Sequence, residues 1–173
     1  MDTLLKNKLK YFVGGEAMVL VCIGTDLLSG DCLGPLVGQM LVDSGAPFFV
    51  YGTLKCPVTA LNIDRVNEFI KKRHKGSVVV AIDSAVGEEV GAIRVNKGAL
   101  KPGSALGKKL NEIGDVSITV TTTKSLPGEE GFGLVPLGFV YAAAKRVVEI
   151  VGCRMQKVQG TLAMHNAQGI MHN

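Results

Sequence analysis

At 173 residues the chain has room for one well-buried core and is short for two. Apolar residues at 47% and charged residues at 20% are ordinary globular proportions and exclude a chain disordered throughout. A net charge of only +4, an aromatic content of 5% and no Trp argue against a nucleic-acid platform, which wants a broad basic stripe and stacking rings.

Taken in order, the first dozen residues mix Lys6, Lys8 and Lys10 with apolar side chains and read as an amphipathic helix. They lack the apolar core and cleavage site of a signal peptide. Met18 to Ile23 is an apolar run, a buried strand, and it empties into the loop Gly24-Thr25-Asp26-Leu27-Leu28-Ser29-Gly30-Asp31-Cys32. A helix follows from near Leu33, with Pro35 in its first turn, and stops near Gly45. The loop is neither a Walker A sequence nor G-x-G-x-x-G, so no nucleotide cofactor is expected. Phe48 to Tyr51 reads as a second strand and Gly52 to Pro57 as a loop. Asn62 or Asp64 caps a helix bearing Val66, Phe69 and Ile70 that ends at Gly76. Its final Lys71-Lys72-Arg73-His74-Lys75 suits the negative end of a helix dipole better than a nucleic-acid patch.

Ser77 to Ile82 is a third strand, continuous and β-branched, ending at Asp83-Ser84. Gly91 to Asn96 is a short alternating strand, Gly98 to Lys109 a loop with a helical turn, and Val116 to Thr121 another strand. Ser125 to Gly133 reads as a loop, either a lid or a propeptide-like regulatory segment, Phe139 to Val151 as a helix, and Arg154 to His165 as a last helix. The longest apolar stretch, Phe132 to Ala144, contains Pro136 and is too short to span a bilayer, so a cytoplasmic protein away from membranes is expected. The alternation predicts an α/β protein. It is a single three-layer αβα domain over residues 1–173, with a mostly parallel or mixed central sheet and scope for an antiparallel edge strand.

In a parallel sheet Asp83 reaches the same carboxyl edge as Asp26 and Asp31, where open α/β sheets do their chemistry. Paired carboxylates share a proton, orient water or hold a divalent cation. Each of these aspartates also reads as a simple turn or helix cap. The four cysteines, Cys22, Cys32, Cys56 and Cys153, form no CxxC and no zinc spacing, and they fit a reducing compartment. Cys32 at a helix start reads as a thiol with depressed pKa. A nucleophilic role would need a His base, for which His165 is the candidate rather than His74 or His172. The hydroxyls of Ser84, Thr121, Thr122 and Thr123 read as hydrogen-bond donors near strand ends.

The segments CIGTDLLSGDCLGPLVG at Cys22–Gly38, YGTLKCPVTALN at Tyr51–Asn62, VVVAIDSAVG at Val78–Gly87 and LKPGSALGKKLNEI at Leu100–Ile113 carry a resemblance. The chain resembles the YyaC-type sporulation proteins. These are similar to spore germination protease and, more distantly, to hydrogenase maturation endopeptidases. The resemblance runs from about Met18 to Ser125 and implies a phosphorylase/hydrolase-like αβα fold. It places Asp31 and Asp83 where germination protease carries its catalytic-site aspartates. In the endopeptidases those two places hold a Glu and an Asp that bind the metal of the precursor, joined by a later His. Here Thr121-Thr122-Thr123-Lys124 follows instead, so no metal cofactor is expected and a divalent ion lacks its matching His.

The expected function is a sporulation-associated peptidase in which Asp31 and Asp83 activate water for peptide-bond hydrolysis. Gly24, Thr25, Asp26 and Ser84 would bind substrate, with Ser104 and Lys108 at the rim, and the partner would be a protein or peptide, a spore protein among the candidates. Self-association is left open. Two other readings stand beside it: a non-catalytic binding or assembly protein on a hydrolase scaffold, and a metal-dependent small-molecule hydrolase.

Overall fold

The computed structural model describes residues 2–102, 111–124 and 134–153. Ser104, Lys108, the segment 125–133 and everything after Cys153, with His165 and His172, lie outside the described residues. The elements are α1 (Asp2–Val13), β1 (Met18–Cys22), a single 3-10 turn (Ser29–Asp31), α2 (Leu33–Asp43), β2 (Phe49–Tyr51), α3 (Ile63–Arg73), β3 (Val78–Val86), β4 (Ile93–Lys97), β5 (Val116–Thr123) and α4 (Leu137–Gly152).

The strands form one five-stranded mixed sheet in the order β2-β1-β3-β5-β4. β1, β2, β3 and β5 run parallel, and β4 closes one edge antiparallel to β5. The chain moves outward from β1 through α2 to β2, then crosses back over β1 through α3 to β3. Right-handed crossovers in opposite directions put their helices on opposite faces. α2 accordingly shares one core with α1, α4 and the side chains of Leu20, Cys22, Val80, Ile82, Ile118 and Val120. The other face packs Val19, Val21, Ile23 and Ala81 under Ile63 and Ile70 of α3. β1 shows why a strand covered on both faces reads as a continuous apolar run: all five of its residues are buried. Among the described residues α3 is the helix on that face, and it turns Lys71, Lys72 and Arg73 to solvent. Its basic end is therefore a solvated helix terminus, where His74 meets the Tyr51 hydroxyl at 2.6 Å.

The structure corrects one boundary that matters. The third strand does not end at Ile82. It continues to Val86, with Asp83 opposite Thr119 and Ser84 opposite Val120 of β5. A polar residue reads as punctuation in a sequence, but here β5 also runs on to Thr123 and keeps β3 paired after β1 has stopped at the Cys22–Ile82 pair.

Candidate active site

The order of the strands creates a switch point between β1 and β3, where the connections depart in opposite directions. Ligand crevices of open α/β sheets lie at the carboxyl ends of such strands. At the end of β1, Ile23 donates its N–H to the Ile82 carbonyl at 2.7 Å and pairs with Val58, and Gly24 donates to the Val58 carbonyl at 2.9 Å. Gly24 then turns with φ +139°, a conformation closed to most side chains, and a Cβ there would run into the Asp31 carbonyl oxygen. The loop therefore closes on itself. Thr25 N–H donates to the Asp31 carbonyl and to its carboxylate Oδ2, each at 3.2 Å. At the start of α2, Gly34 lies so close that a Cβ would overlap the backbone of Ile23. The helix that follows Asp31 thus rests directly on the end of β1.

Two distant segments pin the 3-10 turn. Thr122 Oγ1 of β5 donates to the Gly30 carbonyl at 2.9 Å in a buried bond, and Ser29 Oγ donates to the Val135 carbonyl at 2.7 Å just before α4. Among the hydroxyls singled out in the sequence, Thr122 positions the loop. Val135 and Val58 contribute only carbonyls, which no side-chain pattern announces.

Asp83 is buried, with 8% of its surface exposed. Burial raises its pKa well above the ordinary carboxylate range and the charge of Asp31 raises it further; only the 2.9 Å bond from the Ser84 N–H to Oδ1 pulls the other way. Asp31 is half-buried, at the end of the 3-10 turn in the loop that follows β1. The structure thus brings Asp31 and Asp83 into electrostatic contact. Thr25 sits beside them as the residue that orients Asp31. Asp26 is exposed on the outer turn of the loop. Ser84 meets the site through its N–H. Strand alternation sends its side chain to the opposite face from Asp83, where the buried hydroxyl has no hydrogen-bond partner among the described residues.

Cys32 departs from expectation. Its thiol pKa is raised, first by burial and then by the negative charges of Asp26 and Asp31. The loop that folds two carboxylates around the helix start overrides the dipole argument for a reactive thiolate. Within the described residues His74 is engaged with Tyr51 and stacks near Phe49, at the other end of α3 from the crevice. Among these residues no three of His, Cys, Asp and Glu gather to hold a metal ion.

The five-stranded mixed sheet with its helices matches the α/β fold of the hydrogenase maturation proteases. The [NiFe] hydrogenase maturation protease HycI from Thermococcus kodakarensis KOD1 superposes with a TM-score of 0.54 at 20% identity, over 86% of this chain and 98% of that one. The HybD protease from Thermococcus kodakarensis gives 0.52 at 16% identity, over 80% and 99%. In sequence, residues 1–149 match the family described as "Protein of unknown function (DUF1256)", and the chain belongs to that family. It is 43% identical over 122 residues to the uncharacterized protein YyaC of Bacillus subtilis (strain 168). The match takes in 68% of this chain and 58% of that relative's length.

Proposed function

We propose that the protein is a peptidase of sporulating cells in which Asp31 and Asp83 act as a base–acid pair on one water molecule. The observation that carries the reading is the buried Asp83, pushed towards its protonated form while Asp31 lies within electrostatic reach. Two carboxyls whose environments separate their protonation divide naturally into an acid and a base. Asp31 takes a proton from water as the water oxygen attacks the peptide carbonyl carbon. Asp83 gives its proton to the amide nitrogen as the C–N bond breaks. The products are a carboxylate and an amine, and solvent returns the proton from Asp31 to Asp83. Thr25 holds Asp31 in place, and the Ser84 N–H fixes one oxygen of Asp83, leaving the other for the transferable proton.

The fold shared with the HycI and HybD proteases supports hydrolysis of a protein or peptide. The resemblance to germination protease supports a sporulation role with a spore protein as substrate. The four cysteines, Cys22, Cys32, Cys56 and Cys153, form no CxxC and no dense disulfide framework in the sequence, which supports a cytoplasmic setting.

The test is cleavage of a peptide library drawn from spore proteins, read by mass spectrometry. Asp31→Asn and Asp83→Asn, each confirmed as folded, are expected to lower the cleavage rate by about 100- to 10,000-fold. Folded variants that cut at the wild-type rate overturn the assignment of the pair.

A further inference from the structure

Beside the carboxylate crevice, at the β2 end of the same sheet edge, lies a second concavity of about 150 Å³. Tyr51, Gly52, Cys56, Pro57, Val58 and Val66 form most of its wall, drawn from the end of β2, the loop after it and the first turns of α3. It carries no Asp, Glu, Lys or Arg among its lining residues, and the Tyr51 hydroxyl is already engaged by His74. The wall is preformed. Asn62 accepts from Thr59 N–H at 2.9 Å and donates to the Pro57 carbonyl at 3.0 Å, while Thr53 and Cys56 exchange backbone bonds of 3.1 and 3.2 Å.

The cavity and the crevice share a wall. Val58 lines the cavity, and its carbonyl anchors Gly24, the residue before the Thr25 that holds Asp31. Two bulky apolar side chains stand in water around the cavity: Leu54, between Thr53 and Cys56, is 37% exposed, and Leu61, next to Asn62, is 95% exposed. An apolar volume of about 150 Å³ holds a benzene-sized group. A charged side chain entering it would lose its hydration without a partner.

We propose that this cavity is a specificity subsite that takes one uncharged apolar side chain, of leucine, methionine or phenylalanine size, from a peptide lying across Asp31 and Asp83. The term subsite rests on the peptidase reading; the binding itself does not. Leu54 and Leu61 would lie against the neighbouring residues of the same peptide.

The test uses N-acetyl-leucine methylamide, with the glycine and lysine analogues as controls, added to the 15N-labelled protein. The leucine compound is expected to shift the amides of Tyr51, Gly52, Cys56 and Val58, and the controls are not. Val66→Phe, which fills the cavity from α3, is expected to weaken that binding by about tenfold. Alkylation of the exposed Cys56 on the wild-type chain blocks the same space without touching α3 and is expected to do likewise. The proposal is overturned if the leucine compound shifts none of these amides, or if its shifts survive both Val66→Phe and Cys56 alkylation. The measurement reads binding and requires no hydrolysis, so a failure of the Asp31–Asp83 mechanism leaves it standing. Conversely, aspartate-dependent cleavage of leucine peptides with a KM that Val66→Phe leaves unchanged would overturn the subsite and keep the peptidase.

Discussion

Replacing Asp83 with Asn should remove a specific pH dependence from the stability of the fold. An unfolded aspartate titrates near about 3.9. In the folded protein burial and the Asp31 charge hold the Asp83 pKa well above that. Well below about pH 3.9 the side chain is protonated in both states, and Asp and Asn are nearly equivalent there. As pH rises further the unfolded chain releases its proton while the folded protein keeps it, so the folded state binds more protons and stability falls. The slope is about 1.4 kcal/mol per pH unit until the folded pKa is passed, after which the loss levels off. Asn cannot ionise, and its side-chain oxygen can still accept the Ser84 N–H. The variant should therefore differ least from the wild type at the acid end of the range and gain on it steadily as pH rises.

With no Trp in the chain, urea unfolding followed by far-UV circular dichroism at intervals from about pH 4 to pH 7 is the suitable assay. Asp31→Asn removes the second cause of the raised pKa and should shorten the pH window over which Asp83 costs stability. Wild-type and Asp83→Asn curves that stay parallel across the range would refute both the raised pKa and the division of labour built on it.

Other expectations follow from the same packing. Gly34→Ala forces a Cβ onto the Ile23 backbone, which cannot swing aside as a side chain can, and should lower stability by about 1–3 kcal/mol in urea midpoint measurements. Gly138→Ala goes the other way: the position is exposed near the start of α4 with nothing nearby to meet a methyl group, and about 0.5–1 kcal/mol of stabilisation is expected in the same assay. Thr122→Val leaves the buried Gly30 carbonyl without its donor, costs about 1–3 kcal/mol, and should increase hydrogen exchange through the 3-10 turn ahead of the sheet. In timed alkylation of the native protein read by peptide mapping, exposed Cys56 should react well before Cys32, whose pKa is raised, and before Cys22, whose thiol burial pushes up to about 12.

The layered α/β plan was legible because parallel strands leave an unmistakable trace. β1 and β3 are apolar runs bounded by glycine or polar turns, and the helices between them keep a helical period. The amphipathic first helix, the proline in the opening turn of α2 and the antiparallel edge also appear where the residues suggested them. What sequence alone could not supply was pairing beyond the apolar run. Asp83-Ser84 looks like a strand end until β5 is laid alongside and continues the ladder. The error at Cys32 is of another kind. A helix start predicts a more acidic thiol, and only the folded loop shows that burial and two aspartates act on the same sulfur in the opposite direction. Thr25 as the donor to Asp31 was equally out of reach, since it depends on Gly24 turning the loop back upon itself.

The corrected strand boundary changes the meaning of Asp83. A carboxylate in a turn after a strand would be solvated, titrate normally and serve as well for capping as for chemistry. As the first residue of β3 past the end of β1, it has β5 on one side and the departing Gly24–Asp31 loop on the other. It is buried and yet lies within reach of the Asp31 charge, which makes its ionisation harder still. The hydrogen bond that it accepts from the next residue is one that an Asn could accept as well, so architecture gives little reason for an acid at this place. A buried acid at the switch point of an α/β sheet, within electrostatic reach of a second carboxylate held by its own loop, is what the proposed base–acid pair requires, and a loss of stability with rising pH is its measurable sign.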